Sequence, residues 1–267
     1  MINKKENLFN LKGKNIVING GLGLIGSKIV NDLLNYNANV TIIDIKKNTK
    51  KFDKINNLNF ISHNTSDTKQ INNCFDKIIN LNKKIHVFIN CSYPINKLWI
   101  KNNFEEINSK SLNDNILLNS NSYILFSNLF AKHMKDYKIP GSIILFSSIY
   151  GNLAQDLSVY KMTKIKENVA YSFIKGGIIN LTKQMASYYG KHNIRVNSIS
   201  PGAVKGHIAG SKNKQPNIFI KNYINKNPIK RLCLPSDISP LCVFLSSDSS
   251  KYITGQNLIV DGGWSII

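Results

Sequence analysis

The sequence predicts an α/β protein built on a parallel, doubly wound sheet of about seven strands, and three observations carry that expectation. Short apolar runs recur along the whole chain, separated by amphipathic stretches of helical period. The first run leads straight into a glycine-rich turn and then into the amphipathic SKIVNDLLNYN. Apolar residues make up 42% of the 267 positions, enough for one extended core, and no shift in composition marks a linker. Residues 1–267 therefore read as a single domain.

Taken in order, the chain opens on MINKKENLFNLKGK, a polar stretch without the apolar segment that a signal peptide or membrane anchor needs, so a cytoplasmic protein is expected. The first strand covers 14–19. Gly20, Gly23 and Gly26 follow at G-x-x-G-x-x-G spacing, with Leu24 and Ile25 inside the turn. Missing side chains there let the turn tighten, let backbone approach a pyrophosphate and let a helix pack on the strand. The second strand, Asn39–Asp44, ends in a carboxylate where a dinucleotide fold holds the adenosine ribose. Asp44 would accept from both ribose hydroxyls and repel a 2′-phosphate, which favours NAD over NADP. Lys46 and Lys47 weigh the other way, and a plain strand-end carboxylate is the bland alternative.

Two more units follow: Leu58–Ser62 with a helix over 67–82, then a strand over 85–90 with a long helical region reaching about residue 137. The fifth strand, 141–148, delivers Ser147 and Ser148. The sixth unit is a helix around Val169–Tyr189 and a strand over 193–202, stopped by Pro201 and Gly202. Residues 203–235 show few periodic apolar positions and several lysines, and read as a mobile lid with a short helix inside it. A last helix over 235–247, capped by Ser236, and a last strand, Asn257–Val260, complete the set. Ligands of such sheets lie beyond the carboxyl ends of the strands, so the glycine turn, Asp44, Asn64, Asn90 and the two serines should share one rim.

The net charge of +20 attracts anions, but the lysines are scattered, lack interleaved aromatics and accompany a surplus of Asn and Ile. Nucleic acid is therefore not the expected partner; a small anionic substrate is. Cys74, Cys91, Cys233 and Cys242 show no C-x-x-C spacing, and His63, His86, His133, His192 and His207 form no cluster, so no metal site is expected. Residues 146–175 hold two Tyr-x-x-x-Lys pairs, Tyr160 with Lys164 and Tyr171 with Lys175. On a helix such a pair shares a face, and the ammonium favours the ionised phenol.

The blocks NGGLGLIG, IID, HNTSD, FINCSYP, ILFSSIYG, YSFIK, IRVNSISPG and ITGQNLIVDGGW resemble, in order and spacing, the short-chain dehydrogenase/reductase family from about residue 11 to 264. NCSYP, SSIYG and the lengthened segment before YSFIK resemble its flagellin-modification branch, which is linked to nonulosonic-acid sugar biosynthesis for surface glycans. The resemblance implies a Rossmann-type fold and a homodimer or, by preference, a homotetramer. The chain departs from the family at Asn19, where Thr is usual, and at Leu24, in place of the second glycine. It also carries Asn90-Cys91-Ser92-Tyr93 for Asn-Asn-Ala-Gly, and Asn64 for an acidic residue at the adenine.

Two spacings choose between the tyrosines. Ser148 precedes Tyr160 by 12 residues, close to the family's usual gap, whereas Lys175 precedes Asn197 by 22, the run that the family's helix and strand require. A packed helix and strand cannot absorb extra residues without losing register, but a surface loop can. Tyr171 and Lys175 are the expected catalytic pair, and Tyr160 belongs to an inserted loop, 152–168, as packing or as a substrate-loop residue.

By resemblance, Tyr171 exchanges a proton with the substrate oxygen, Lys175 lowers its pKa and holds the nicotinamide ribose, and Ser148 orients the oxygen. Asn119 anchors a water that leads protons out, with Asn121 as the neighbouring candidate. The implied cofactor set is Gly20, Gly23, Leu24, Ile25, Gly26, Asp44, Asn64, Thr65, Asn90, Tyr171, Lys175, Pro201, Gly202 and Val204. Ser147 reads as structural and Tyr150 as a pocket wall, and Lys205, His207, Lys212 and Lys214 in the lid could meet the anionic part of a substrate. The expected reaction is hydride transfer between NAD(H) and a hydroxyl or carbonyl carbon of a phosphorylated or nucleotide-linked amino sugar. A 3-oxoacyl reductase and a catalytically weak NAD-binding sensor or scaffold are the alternatives.

Overall fold

The computed structural model describes residues 8–46, 55–206 and 213–267, so Lys47, His207 and Lys212 lie outside the described residues. Seven parallel strands stand in the order β3-β2-β1-β4-β5-β6-β7. They are β1 (Asn15–Asn19), β2 (Asn39–Asp44), β3 (Leu58–Ser62), β4 (Val87–Asn90), β5 (Gly141–Phe146), β6 (Ile194–Pro201) and β7 (Asn257–Val260). The central strands are apolar almost throughout, NIVIN, VFIN and GSIILF, because a parallel sheet is covered on both faces.

Successive side chains point to opposite faces, and each face has its own core. On one, α1 (Gly26–Asn35) and α7 (Pro235–Ser246) set Ile29, Leu33, Ile238 and Val243 over Ile16, Ile18, Ile42 and Ile144. On the other, α2 (Ile71–Asn82), α3 (Ser109–Asn121), α4 (Ser127–Asp136) and α5 (Val169–Tyr189) cover Val17, Phe88, Ile143 and Val196. There Phe88 stacks on Phe130 with ring centroids 4.2 Å apart.

Four expectations change. The helix expected from residue 67 starts at Ile71, because the Asn64 and Asp67 side chains accept from the Ser66 and Lys69 amides and hold the preceding residues in turns. The long helix to residue 137 is broken into α3, a π-helical turn at Ser122–Phe126, and α4. Asn119 and Ser120 bond back to the carbonyls four residues earlier, and Ser122 leans on the Asn119 carbonyl; such bonds compete with the helical ladder. Leu234, not Ser236, precedes α7: Pro235 takes the first helical position, and the Asp237 carboxylate accepts the Leu234 N–H at 2.7 Å.

The described part of the expected lid is docked rather than loose. It holds α6 (Asn217–Lys226), whose Phe219 and Tyr223 join Ile149, Val159, Leu232 and Trp264 in a third, small core. Val204 pairs with Cys233 at its base, and Tyr223 stacks on Trp264 at 4.2 Å. Four apolar residues of NIFIKNYINK, at 219, 220, 223 and 224, form the face that packs; they are too few to show as a period in so polar a segment.

Candidate active site

At the carboxyl end of β1 the chain turns through Gly20 at φ +83, a conformation that side chains disfavour, and a Cβ there would lie 2.8 Å from Ser92 Cα. A Cβ on Gly26 would lie 2.1 Å from the Gly20 carbonyl oxygen, so the bare glycine lets α1 start directly on the turn. Gly23 donates its N–H to Gly20 at 3.0 Å, and Ile25 precedes α1 without a capping side chain. Leu24 is partly exposed and lies against Gly206 at the start of the lid. A helix N-terminus with no side-chain cap, behind a turn in which Gly20, Gly23 and Gly26 carry no side chains, is a cradle for a phosphate, and these residues fit a dinucleotide.

Asp44, buried at the end of β2, accepts from the Leu22 N–H and the Lys46 N–H, each at 3.0 Å. Its carboxylate ties the glycine turn to the second strand and keeps lone pairs for further donors. Between the strands lies a polar cluster that the sequence did not single out. The Asn19 amide nitrogen sits 3.0 Å from Thr65 Oγ1, 3.0 Å from Asn90 Oδ1 and 2.9 Å from Ser92 Oγ. Its signal in the sequence was the departures from the family pattern at Asn19 and Ser92. The Asn90 amide nitrogen is buried with no hydrogen-bond partner among the described residues. Asn64 is exposed and spends its carbonyl oxygen on the Ser66 N–H.

Pro201 ends β6 on the same rim. A Cβ on Gly202 would lie 2.9 Å from the Tyr223 hydroxyl, which accepts the Ala203 N–H at 3.0 Å. Val204 follows in its bridge to Cys233.

Tyr171 and Lys175 stand in the first two turns of α5, whose cap is Asn168: its Oδ1 accepts the Tyr171 N–H at 2.8 Å. The Tyr171 phenol lies close to Ser148, whose hydroxyl pulls its pKa down. Ser148 Oγ also accepts the Tyr150 N–H at 3.2 Å, while Ser147 donates to the Lys175 carbonyl at 2.7 Å. Lys175 Nζ donates to the Phe146 carbonyl at 2.9 Å and lies over three rings, Tyr93 at 4.8 Å, Tyr123 at 5.5 Å and Tyr171 at 5.7 Å. Tyr93 meets Tyr171 edge-on at 5.2 Å. Asn119 is fully buried; its nitrogen donates to the Asn115 carbonyl and its oxygen has no partner among the described residues.

Burial governs both members of the pair. It raises the Tyr171 phenol, against the lowering pull of nearby Ser148, and it brings Lys175 down to about 7, opposed by nearby Cys91. Burial thus disfavours the charged form of both groups and opposes the ionised phenol that the sequence led one to expect of the pair. The other pair does not form. Tyr160 ends a short 3-10 turn, Leu157–Tyr160, no helix carries it on to Lys164, and its hydroxyl meets Gln155 Oε1 at 3.2 Å.

A parallel sheet with a phosphate cradle on its carboxyl rim, beside a half-buried tyrosine and a buried serine and lysine, defines a nucleotide-dependent oxidoreductase. A family model described as Enoyl-(Acyl carrier protein) reductase matches residues 23–265. Post-translational flagellin modification protein A of Campylobacter coli is 31% identical over 96% of this chain and 100% of its own length. A D-arabinitol 2-dehydrogenase [ribulose-forming] of Candida tropicalis is 27% identical over 96% of this chain and 94% of its own. A short chain dehydrogenase of Leptospira borgpetersenii, solved with bound NAD+, is 33% identical, with TM-score 0.87 over 99% of this chain and 97% of that one. The chain belongs to the short-chain dehydrogenase/reductase family.

Proposed function

We propose that this enzyme transfers a hydride between NAD(H) and a hydroxyl- or carbonyl-bearing carbon of a phosphorylated or nucleotide-linked amino sugar, in the cytoplasm and in the service of a surface glycan. The observation that carries the reaction class is Tyr171 close to Ser148 and to buried Lys175, on the same rim as the Gly20–Gly26 turn. The sugar rests on the full-length likeness to the flagellin modification protein, and the polyol relatives agree with a substrate rich in hydroxyls. An intact Ser148, Tyr171 and Lys175 speaks against a mere sensor, and a 3-oxoacyl substrate, to which the family model's acyl-carrier-protein description points, is not better supported than the sugar.

The Gly20, Gly23 and Gly26 turn, with Leu24 and Ile25 closing it, holds the pyrophosphate against the start of α1. Asp44 takes the adenosine ribose hydroxyls, Asn64 and Thr65 flank the adenine, and Asn90 and Lys175 take the nicotinamide ribose. Pro201, Gly202 and Val204 border the nicotinamide end. When bound, the cofactor gives or takes the hydride. Ser148 holds the substrate oxygen, and Tyr171 gives or takes its proton as general acid or base. Lys175, with a pKa of about 7, can accept and release a proton near neutrality, which suits a relay better than a fixed charge. The unpaired Asn119 oxygen is the acceptor that would anchor a water behind it.

Replacing Tyr171 by Phe is expected to abolish turnover while dinucleotide binding survives, and Tyr160→Phe to keep most activity; the reverse pattern overturns the assignment. Measured dissociation constants test the cofactor: NAD should bind more tightly than NADP, because the buried Asp44 carboxylate meets a 2′-phosphate with like charge. NADH production across a panel of phosphorylated and nucleotide sugars tests the substrate.

A further inference from the structure

We propose that Gln155, in the inserted loop, is the positioning residue that fixes Tyr171 and passes the state of the lid helix to it. The proposal rests on Tyr171 as the proton-transferring group. Gln155 makes four hydrogen bonds with its side-chain amide, to three neighbours of the site, Asn168, Ser172 and Tyr160. Its Nε2 donates to the Asn168 carbonyl at 2.8 Å and to Ser172 Oγ at 2.8 Å. Its Oε1 accepts the Asn168 N–H and the Tyr160 hydroxyl, each at 3.2 Å. Both backbone groups of Asn168 are thus held by one side chain, as a neighbouring strand would hold them.

Asn168 in turn holds the start of α5. Its Oδ1 takes the Tyr171 N–H, and its Nδ2 donates to the Trp99 carbonyl at 2.8 Å. Trp99 closes a second arm, since its indole N–H donates to the Tyr93 hydroxyl at 3.2 Å and the Tyr93 ring lies on Tyr171. Tyr171 is therefore fixed at its backbone through Gln155 and Asn168, and at its ring through Trp99 and Tyr93.

The other side of Gln155 leads to the lid. Tyr160 stacks on Phe219 of α6, with centroids 6.1 Å apart and planes at 8°, and lies close to Tyr150, two residues past Ser148. Asn222 of α6 donates to the Val159 and Lys161 carbonyls, and Lys226 pairs with Asp156 beside Gln155. When α6 is docked, the inserted loop is clamped and Gln155 is presented to Asn168. When α6 lifts, Tyr160 loses its stacking partner and the loop its clamps. The inserted segment thereby makes the position of Tyr171 conditional on the lid, and Tyr160 is the hinge contact of that coupling rather than a spare catalytic tyrosine.

The test compares Gln155→Ala and Gln155→Glu with the wild type. Glutamate keeps the shape but presents an oxygen, not an N–H, to the Asn168 carbonyl, so packing alone would tolerate it and positioning would not. Both variants are expected to lower kcat on the order of 10- to 100-fold with NAD affinity unchanged, the scale on which small misplacements act. Both should also speed amide hydrogen exchange at Tyr171 in the cofactor-free protein. A Gln155→Glu protein with wild-type kcat, or a Gln155→Ala protein with unaltered Tyr171 exchange, overturns the proposal. If Gln155→Ala does not fold, Phe219→Ala on α6 carries the same exchange readout. The exchange experiment needs no substrate, so a failure of the proposed sugar chemistry would show separately, as absent turnover in the wild type.

Discussion

Lys175 shows how one residue can be costly to the fold and necessary to the site. It is 4% exposed, and its ammonium has a carbonyl and three aromatic faces but no carboxylate. Its pKa falls from 10.5 to about 7, so at lower pH folded and unfolded chains are both protonated and the burial cost is full. As pH rises from about 7 toward the ordinary lysine range, the folded chain sheds the proton before the unfolded one and the cost disappears. Lys175→Met should therefore abolish turnover yet raise the melting temperature, more near about pH 6 than near about pH 10; a gain independent of pH would contradict the assignment. The Tyr171 and Lys175 pair was legible because the run from lysine to the β6 asparagine is fixed by packed elements. Gln155 and Asn19 were not, since an amide acts only through neighbours that the sequence keeps distant: Gln155 meets Asn168 and Ser172, and Asn19 meets Thr65 and Ser92.

Among the elements, α1 depends on its first residue. Adding a methyl at Gly26 would drive a carbon to 2.1 Å from the Gly20 oxygen, and the neighbour is backbone that cannot step aside cheaply. Gly26→Ala is expected to cost about 1–3 kcal/mol of stability, as overpacking does, and to weaken dinucleotide binding. Chemical denaturation and NAD titration check the two effects. Strands were read closely from the sequence, with Asn39–Asp44, Leu58–Ser62 and Asn257–Val260 at their observed bounds and the other four within about two residues at each end. Helix ends and breaks were read less well. They turn on single side-chain bonds, at Asn64 and Asp67 before α2 and at Asn119, Ser120 and Ser122 inside the α3–α4 run. The small lid helix was expected, but not its docking, which needs partners from residues 149–165 and from Trp264.

For the whole molecule, the +20 charge and the lid lysines at 205, 214, 221, 226 and 230 should draw an anionic substrate toward the rim. Raising ionic strength from about 0.01 M to about 1 M shortens the screening length from about 30 Å to about 3 Å, so kcat/KM should fall while kcat holds. A salt-independent kcat/KM would point to a neutral substrate. Exposed Leu117, Ile124, Leu125 and Phe173 are the surface on which we place a homo-oligomer contact. Sedimentation of the wild type against Leu117→Glu with Phe173→Glu should show dissociation. At the opposite end of the sheet a cavity of ≈ 560 Å³ is lined by Lys14, Arg195 and Lys251. Lys14 pairs there with Asp248, and the Arg195 guanidinium is spent on the Leu245 and Ser247 carbonyls.

The third core has a consequence for how such a protein can change. Phe219, Tyr223, Val159 and Trp264 pack with one another and not into the two cores that cover the sheet. Substitutions there spend the stability of a small annex while the cradle and the strands keep theirs. The inserted loop and the lid helix can drift together toward a different substrate, with mutations in one compensated in the other, as long as Gln155 keeps its hold on Asn168. Selection on the substrate and selection on the fold then act on largely separate sets of residues.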